Sequence, residues 1–347
     1  MITKFSDQNF LAFTRENEWG ADINVEQQLG NGITMQIWDS GVIVFSPAKP
    51  AQAFDLVLSC AVHGDETAPI EICDELIESI RSGELGLNCR VLFLIANPAA
   101  INIGKRFVEE NMNRLFSGAH SEGEGLVNRE RIRAKAIEGY VRKFFTSAPA
   151  GERQRLHYDM HTAIRDSKHE KFAVYPFTNG APYKKQQFQL LQQLDVPVVL
   201  LHDGPTTTFS YFSVNEFAAD AFTLELGKVK PFGENDMQRF AKTKQQLTRL
   251  LTEGPAVNGE FIAESLRVYK VLRSVNRNYE NFRLHFPDNV ANFTAFNKGE
   301  ILATDGDNPV HAEVDGEAVI FPNAKVAIGQ RALLTVIPIP AQQLPLV

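Results

Sequence analysis

Cysteine is scarce in this sequence. Its 347 residues include three, Cys60, Cys73 and Cys89, which lie far apart and form no CxxC pair. That argues against a disulfide framework or a cysteine-rich zinc site and suits a reducing cytoplasm. Long apolar runs are missing too. No stretch reaches the ~18 residues of a membrane span, and the N-terminus carries no apolar core of a secretory signal. Positive charge is not in excess: 35 Lys and Arg stand against 42 Asp and Glu, a net charge of −7. A broad nucleic-acid-binding surface is therefore not expected, although a local arginine cluster remains open. Several motifs are absent: a GxGxxG opening a helix, GxxxxGK[ST], HExxH and GxSxG. Dinucleotide binding, P-loop phosphate binding, zincin proteolysis and nucleophile-elbow serine hydrolysis lose their usual marks.

What is present is the composition of a globular chain, 44% hydrophobic and 22% charged, with room for about two domains. Residues 34–38 and 42–45 read as short strands, and Pro47 and Pro50 break the run. Residues 54–62 (FDLVLSCAV) form a continuous apolar stretch, as does 90–95 (RVLFLI). Both suit strands buried on two faces. Between them the spacing predicts a helix over 67–81, with Thr67 as its N-cap and Ile70, Cys73, Leu76, Ile77 and Ile80 toward the sheet. A strand–helix–strand unit of this length implies parallel strands joined by a right-handed crossover.

Further helices are expected at 129–145, capped by Asn128, at 184–194, and at 236–251 with Gly254 just beyond. Further strands are expected at 156–160, 196–201 and 221–226. This alternation predicts an α/β domain with a mainly parallel sheet and helices on both faces. Beyond about residue 255 the texture changes to strands between turns, at 266–273, 317–321 and 332–338. The expected division is 1–254 and a smaller β-rich domain over 255–347.

The candidate chemistry sits at strand ends, where open α/β sheets bind ligands. His63 and Glu66 form an HxxE pair straight after the 54–62 strand. Imidazole nitrogen and carboxylate oxygen are zinc ligands, but a surface histidine beside a helix-start glutamate reads the same way. In His-Tyr-Asp-Met-His (157–161), strand alternation puts His157, Asp159 and His161 on one face. Such a face is costly to bury unless paired or ligated. Either histidine could supply a third ligand, with Asp159 orienting it. A hydrogen-bonded edge strand is the plainer alternative.

Two His and one Glu would leave a position for water, which suits amide hydrolysis and calls for a carboxylate to move protons. Glu225, alone among apolar residues in Thr-Leu-Glu-Leu-Gly (223–227), is the candidate; a salt bridge to Lys228 is the alternative. Lys105, Arg106, Asn113 and Arg114 could make a local anion site. Neutralisation of that loop by Glu109 and Glu110 is the competing reading. Arg165 is a further candidate of the same kind.

Taken together, the segments His-Gly-Asp-Glu-Thr-Ala-Pro (63–69), Asn97-Pro98, Gly-Lys-Arg (104–106), Met-Asn-Arg (112–114), Asp-Met-His-Thr-Ala-Ile-Arg (159–165) and Thr-Leu-Glu-Leu-Gly-Lys (223–228) resemble the aspartoacylase-like family. Pro-Phe-Gly-Glu-Asn-Asp (231–236) and Phe-Pro-Asn (321–323) match as well. The likeness spans roughly residues 10 to 340 and is greatest to the succinylglutamate desuccinylase branch.

The resemblance implies a zinc-carboxypeptidase-like mixed sheet and one zinc ion held by His63, Glu66 and His161. It selects His161 over His157. It implies Glu225 as general base and later acid, and Arg106 near the developing oxyanion. Asn113 and Arg114 fall at the substrate, with Arg165 a further contact. The implied substrate is a small molecule, N2-succinyl-L-glutamate, split in the closing step of arginine catabolism by succinylation. One departure is Asn111, where the family pattern has Asp. A related N-acyl amino acid deacylase, a carboxypeptidase and a catalytically silent metal-binding protein are the competing readings.

Overall fold

The structure, a computed structural model, describes residues 5, 8–49, 53–148, 151–257 and 259–347. Pro50, expected to end an early strand, lies outside them. In chain order the strands are β1 (Val25–Gln28), β2 (Ile33–Asp39), β3 (Val42–Pro47), β4 (Phe54–Cys60), β5 (Arg90–Ile95), β6 (Gln154–Ala163), β7 (Phe172–Tyr175), β8 (Val198–Leu201), β9 (Asp220–Lys228), β10 (Arg267–Asn276), β11 (Arg283–Leu284), β12 (Thr294–Phe296), β13 (Ile301–Asp305), β14 (Asn308–His311), β15 (Glu317–Ile320) and β16 (Arg331–Ile339). The α-helices are α1 (Phe10–Glu16), α2 (Thr67–Arg81), α3 (Pro98–Asn102), α4 (Arg129–Thr146), α5 (Lys185–Gln193), α6 (Phe209–Phe217) and α7 (Ala241–Glu253).

The strands at the centre of the main sheet run β5-β4-β6-β9, and each pair in that run is parallel. Antiparallel strands flank it through β3 on one side and β7 on the other, so the sheet is mixed. Every residue of β4 and β5 is buried. The period of two sorts them by face. Leu56, Leu58 and Cys60 pack with Ile70, Cys73, Leu76, Ile77 and Ile80 of α2. Val57, Leu92 and Leu94 pack on the other face with Ile137, Val141 and Phe144 of α4 and Phe209 and Phe212 of α6. Helices thus cover both faces, as the strand–helix alternation predicts.

Three local expectations need correction. Thr67 is the first helical residue and not the cap; Glu66 is the N-cap, and its side chain makes no capping bond. Its carboxylate is engaged by histidines instead, while the Thr67 hydroxyl donates to the Lys230 carbonyl at 2.6 Å. The helix expected from 236 begins as a 3₁₀ turn, Met237–Phe240, with the α-helix proper starting at Ala241. Helix α6 was not foreseen, because buried Phe209, Tyr211 and Phe212 crowd its sequence with residues of modest helix propensity.

Beyond residue 255 the chain is β-rich. It is not detached from the first sheet: β10 pairs in parallel with β8, Val268 opposite Val199. Strands β16, β15 and β12 then extend the same sheet to thirteen strands, and β11, β13 and β14 form a separate three-stranded sheet. The continuity was not readable from sequence, since a strand's own pattern does not name its neighbour. No helix among the described residues is long and apolar enough to cross a membrane.

Candidate active site and metal centre

Three adjacent parallel strands bring the candidate residues together at their carboxyl ends. After β4 the backbone turns left-handed at Ala61, φ 56°, an uncommon conformation for a residue with a side chain. The turn is held by bonds from the Ala96 and Asn97 amides to the Cys60 and Ala61 carbonyls, both 2.9 Å. It delivers His63 to the sheet edge. Gly64 follows because α3 passes close by: a Cβ there would stand 2.2 Å from the carbonyl carbon of Ala100. On β6 and β9, His161 and Glu225 are direct register partners. Just past them β9 carries one extra residue, since Ala163 opposes Lys228. Gly227, at φ +140°, absorbs the irregularity.

His63, Glu66 and His161 are buried, and their ligand atoms converge into a group that could hold a metal ion. Glu66 Oε1 lies 2.8 Å from His63 Nδ1, and Glu66 Oε2 lies 2.8 Å from His161 Nδ1. The two Nδ1 atoms are 3.2 Å apart. Tetrahedral zinc with bonds of about 2.0–2.1 Å spaces its donors by about 3.3 Å. The two histidines meet different oxygens of Glu66, and two imidazole nitrogens with a carboxylate make a donor set that suits zinc.

The imidazole tautomers agree with this. Asn111 Oδ1 accepts the Asn113 amide at 3.0 Å, so that atom is the oxygen, and it lies 2.9 Å from His63 Nε2. Nε2 of His63 therefore carries the proton and Nδ1 the lone pair. Nε2 of His161 donates to Asp159 Oδ2 at 2.9 Å, which leaves Nδ1 as the nitrogen facing the centre. Asn111, where the family pattern has Asp, thus keeps the orienting contact with a neutral oxygen.

His157 lies outside this group. Its Nε2 meets Ser59 Oγ at 2.9 Å and its Nδ1 meets Ser213 Oγ at 2.7 Å. Ser59 in turn donates to Asp159 Oδ1 at 2.6 Å. Both oxygens of Asp159 are thereby occupied, and the carboxylate is locked behind His161.

The electrostatics follow from burial against pairing. Burial and the Arg106 charge push the His63 imidazole down to about 4. Burial also opposes charge on His161, but Asp159 and Glu66 outweigh it and hold that imidazole well above its ordinary value. Burial would raise Glu66, yet the two histidines hold it well below the usual carboxylate range.

Glu225 behaves oppositely. Burial raises its carboxyl from 4.5 to about 7; Glu66 and Asp159 add to the rise, while His161 and Arg106 oppose it. Its Oε2 is buried without a hydrogen-bond partner among the described residues. The expected alternative, a pair with Lys228, is not formed; Lys228 bonds Asp166 at 2.6 Å. A raised acid stabilises the fold when protonated, so that contribution erodes as pH climbs from 4.5 towards about 7. In metal-free protein, Glu225→Gln is expected to match wild type in unfolding temperature near pH 4.5 and to exceed it above pH 7. Thermal unfolding at both pH values checks this, and a gap that does not grow with pH would contradict it.

Arg106 donates to Glu66 Oε1 at 2.7 Å. The loop that follows is organised by a residue sequence reasoning missed. Glu130, in the first turn of α4 and fully buried, accepts the amides of Val108, Glu109 and Glu110 at 2.9, 2.7 and 2.6 Å. The available signal was an acid two positions after the Asn128 cap. Glu110 pairs with Arg131, leaving Arg106 and Arg114 unneutralised by it. Asn113 Oδ1 accepts the Phe209 amide at the start of α6 at 3.0 Å. Among the described residues Arg114 donates only to the neighbouring Asn113 carbonyl, at 2.9 Å. Burial, with the Arg331 and Arg106 charges, pushes its guanidinium down to about 10. Arg165 is placed differently: its guanidinium donates to the carbonyls of Asp288, Val290 and Pro322.

Against known proteins, residues 52–251 match the family described as the succinylglutamate desuccinylase/aspartoacylase catalytic domain. The chain belongs to that family. Residues 264–339 match its companion, the AstE/AspA barrel-sandwich hybrid domain. A protein named succinylglutamate desuccinylase from Idiomarina loihiensis is 57% identical over 343 residues, covering 99% of each chain. A protein of the same name from Shewanella denitrificans is 51% identical over 341 residues, 97% of this chain and 98% of its own. The crystal structure of the enzyme of that name from Vibrio parahaemolyticus superposes with a TM-score of 0.86 at 37% identity, covering 97% and 96% of the two chains. The catalytic and β-rich parts of this fold are therefore those of the family.

Proposed function

We propose that this chain is a zinc-dependent amidohydrolase that splits N2-succinyl-L-glutamate into succinate and L-glutamate. On this reading it works in the cytoplasm at the close of arginine catabolism by succinylation. Residues 1–254 form the catalytic unit, and 255–347 cover the site. The observation that carries the reading is the pairing, across β6 and β9, of a metal-competent His63–Glu66–His161 group with a buried Glu225 whose Oε2 has no partner among the described residues. The names of relatives aligned along the whole chain supply the acyl group and the amino acid.

Zinc held by His63, Glu66 and His161 would supply Lewis acidity, acidifying water and polarising a carbonyl. Glu225, poised near neutrality, takes a proton from the attacking water as the carbon–oxygen bond forms. The guanidinium of Arg106, already at the edge of the metal group, stabilises the oxyanion. As the carbon–nitrogen bond breaks, Glu225 returns the proton to the glutamate nitrogen. Asn113, whose side-chain NH₂ has no partner among the described residues, and Arg114 hold substrate carboxylate. Arg165, spent on backbone carbonyls, serves here as the joint between the two regions and not as a substrate contact.

Succinate release from N2-succinyl-L-glutamate, with N-acetyl-L-aspartate and a C-terminal peptide beside it, tests the proposal. Release from the succinyl substrate alone, abolished by chelation and restored by zinc, is the expected result. Preference for either of the others would move the function to an aspartoacylase-like deacylase or a carboxypeptidase.

A further inference from the structure

The proposed substrate carries three carboxylates, and the cations assigned so far do not suffice for them. Arg106 is engaged at Glu66, and Arg165 is spent on carbonyls. Of the arginines assigned to the substrate, that leaves Arg114, which makes no ion pair among the described residues. The β-rich region supplies another. Arg331 opens β16, is half-buried, and makes no ion pair and no side-chain hydrogen bond among the described residues. Its five donors are taken by no described side chain or carbonyl, so they are available to a ligand.

Backbone geometry brings Arg331 to the active-site edge. Five to seven residues past His161, Asn292 docks onto the segment that follows β6: its amide donates to the Asp166 carbonyl at 2.8 Å and its carbonyl accepts the Lys168 amide at 3.0 Å. The Asn292 side chain then holds the Phe321 amide at 2.9 Å, and Arg165 holds the Pro322 carbonyl at 2.8 Å. One residue on, the Asn323 amide donates to the Ala332 carbonyl at 2.7 Å, which fixes the start of β16 beside this joint. The charge of Arg331 reaches both Arg114 and His202, helping burial to lower each of them. His202, directly after β8, has a buried Nε2 with no partner among the described residues. Among the described residues, two guanidinium groups without acid partners and an imidazole nitrogen without one thus lie within electrostatic reach, contributed by both regions of the chain.

We infer that Arg331, acting with Arg114, forms a subsite for a terminal carboxylate of the substrate and so sets its specificity; the identity of that substrate rests on the function proposed above. The carboxylate is either that of the succinyl arm or that of the glutamate side chain. Arg331→Met and Arg331→Lys are compared with wild type on N-succinyl-L-glutamate, N-succinyl-L-glutamine and N-butyryl-L-glutamate. Zinc content and unfolding temperature serve as controls for folding. Arg331→Met should raise KM for the full substrate about 10- to 100-fold, the range of a charged hydrogen-bonded contact, with kcat little changed. The penalty should largely vanish on one of the two truncated substrates, which identifies the carboxylate, and Arg331→Lys should recover part of the loss. An unchanged KM, or an equal loss on all three substrates, would overturn the inference.

Titration calorimetry with succinate and with L-glutamate separates this from the functional reading. If wild type hydrolyses none of the substrates yet binds one product through Arg331, the reaction is wrong and the subsite stands. If Arg331→Met leaves both affinities unchanged, or wild type binds neither product, the subsite is refuted whatever the reaction.

Discussion

Glu225→Gln is expected to slow succinate release by roughly 10²–10⁴ or more, the range of a lost acid–base group, while stoichiometric zinc stays bound. The expectation rests on position as much as on chemistry. Glu225 is the register partner of a metal-site histidine, yet it is not one of the three residues whose ligand atoms converge. Its carboxyl is held near neutrality mainly by burial, so it can both take and return a proton. Gln keeps the shape and removes that capacity. Single-turnover kinetics with zinc content measured on the same sample separates the two properties. A variant turning over near the wild-type rate would remove Glu225 from the mechanism, and a variant that had lost zinc would make it a ligand.

The second large effect is loss of metal. His63→Ala or His161→Ala should each weaken zinc binding by more than the roughly 10- to 100-fold typical of outer-sphere partners, leaving protein that does not retain stoichiometric zinc through gel filtration. His157→Ala should retain it, because His157 bonds Ser59 and Ser213 and reaches the centre only through Asp159. Metal analysis of the three purified variants is the check. Zinc kept by His161→Ala and lost by His157→Ala would mean that the wrong histidine had been assigned.

The two histidines also show where sequence reasoning ended. Strand alternation put His157, Asp159 and His161 on one face, and the structure agrees, but the period of two gives no sign of how far along the strand a ligand must lie. That depends on where β4 ends and Ala61 turns, a property of the neighbouring strand. The continuous apolar runs of β4 and β5 and the spacing of α2 were legible because burial there is decided by strand and helix period alone. Helix α6 was hidden by its aromatics, and the joining of β10 to β8 depends on partners far away in sequence. In the site, His63, Glu66, His161 and Glu225 announced themselves as polar residues at the ends of apolar strands. Glu130 and Arg331 did not. One acts on the backbone amides of a separate loop, and the other opens a strand outside the matched segments.

Stepwise addition of zinc to metal-free protein, with succinate release from N2-succinyl-L-glutamate followed at each step, tests the central claim most directly. Activity should rise from near zero in proportion to zinc and stop at one equivalent per chain. Full turnover before any metal is added, or no succinate release once one equivalent of zinc is bound, would contradict it.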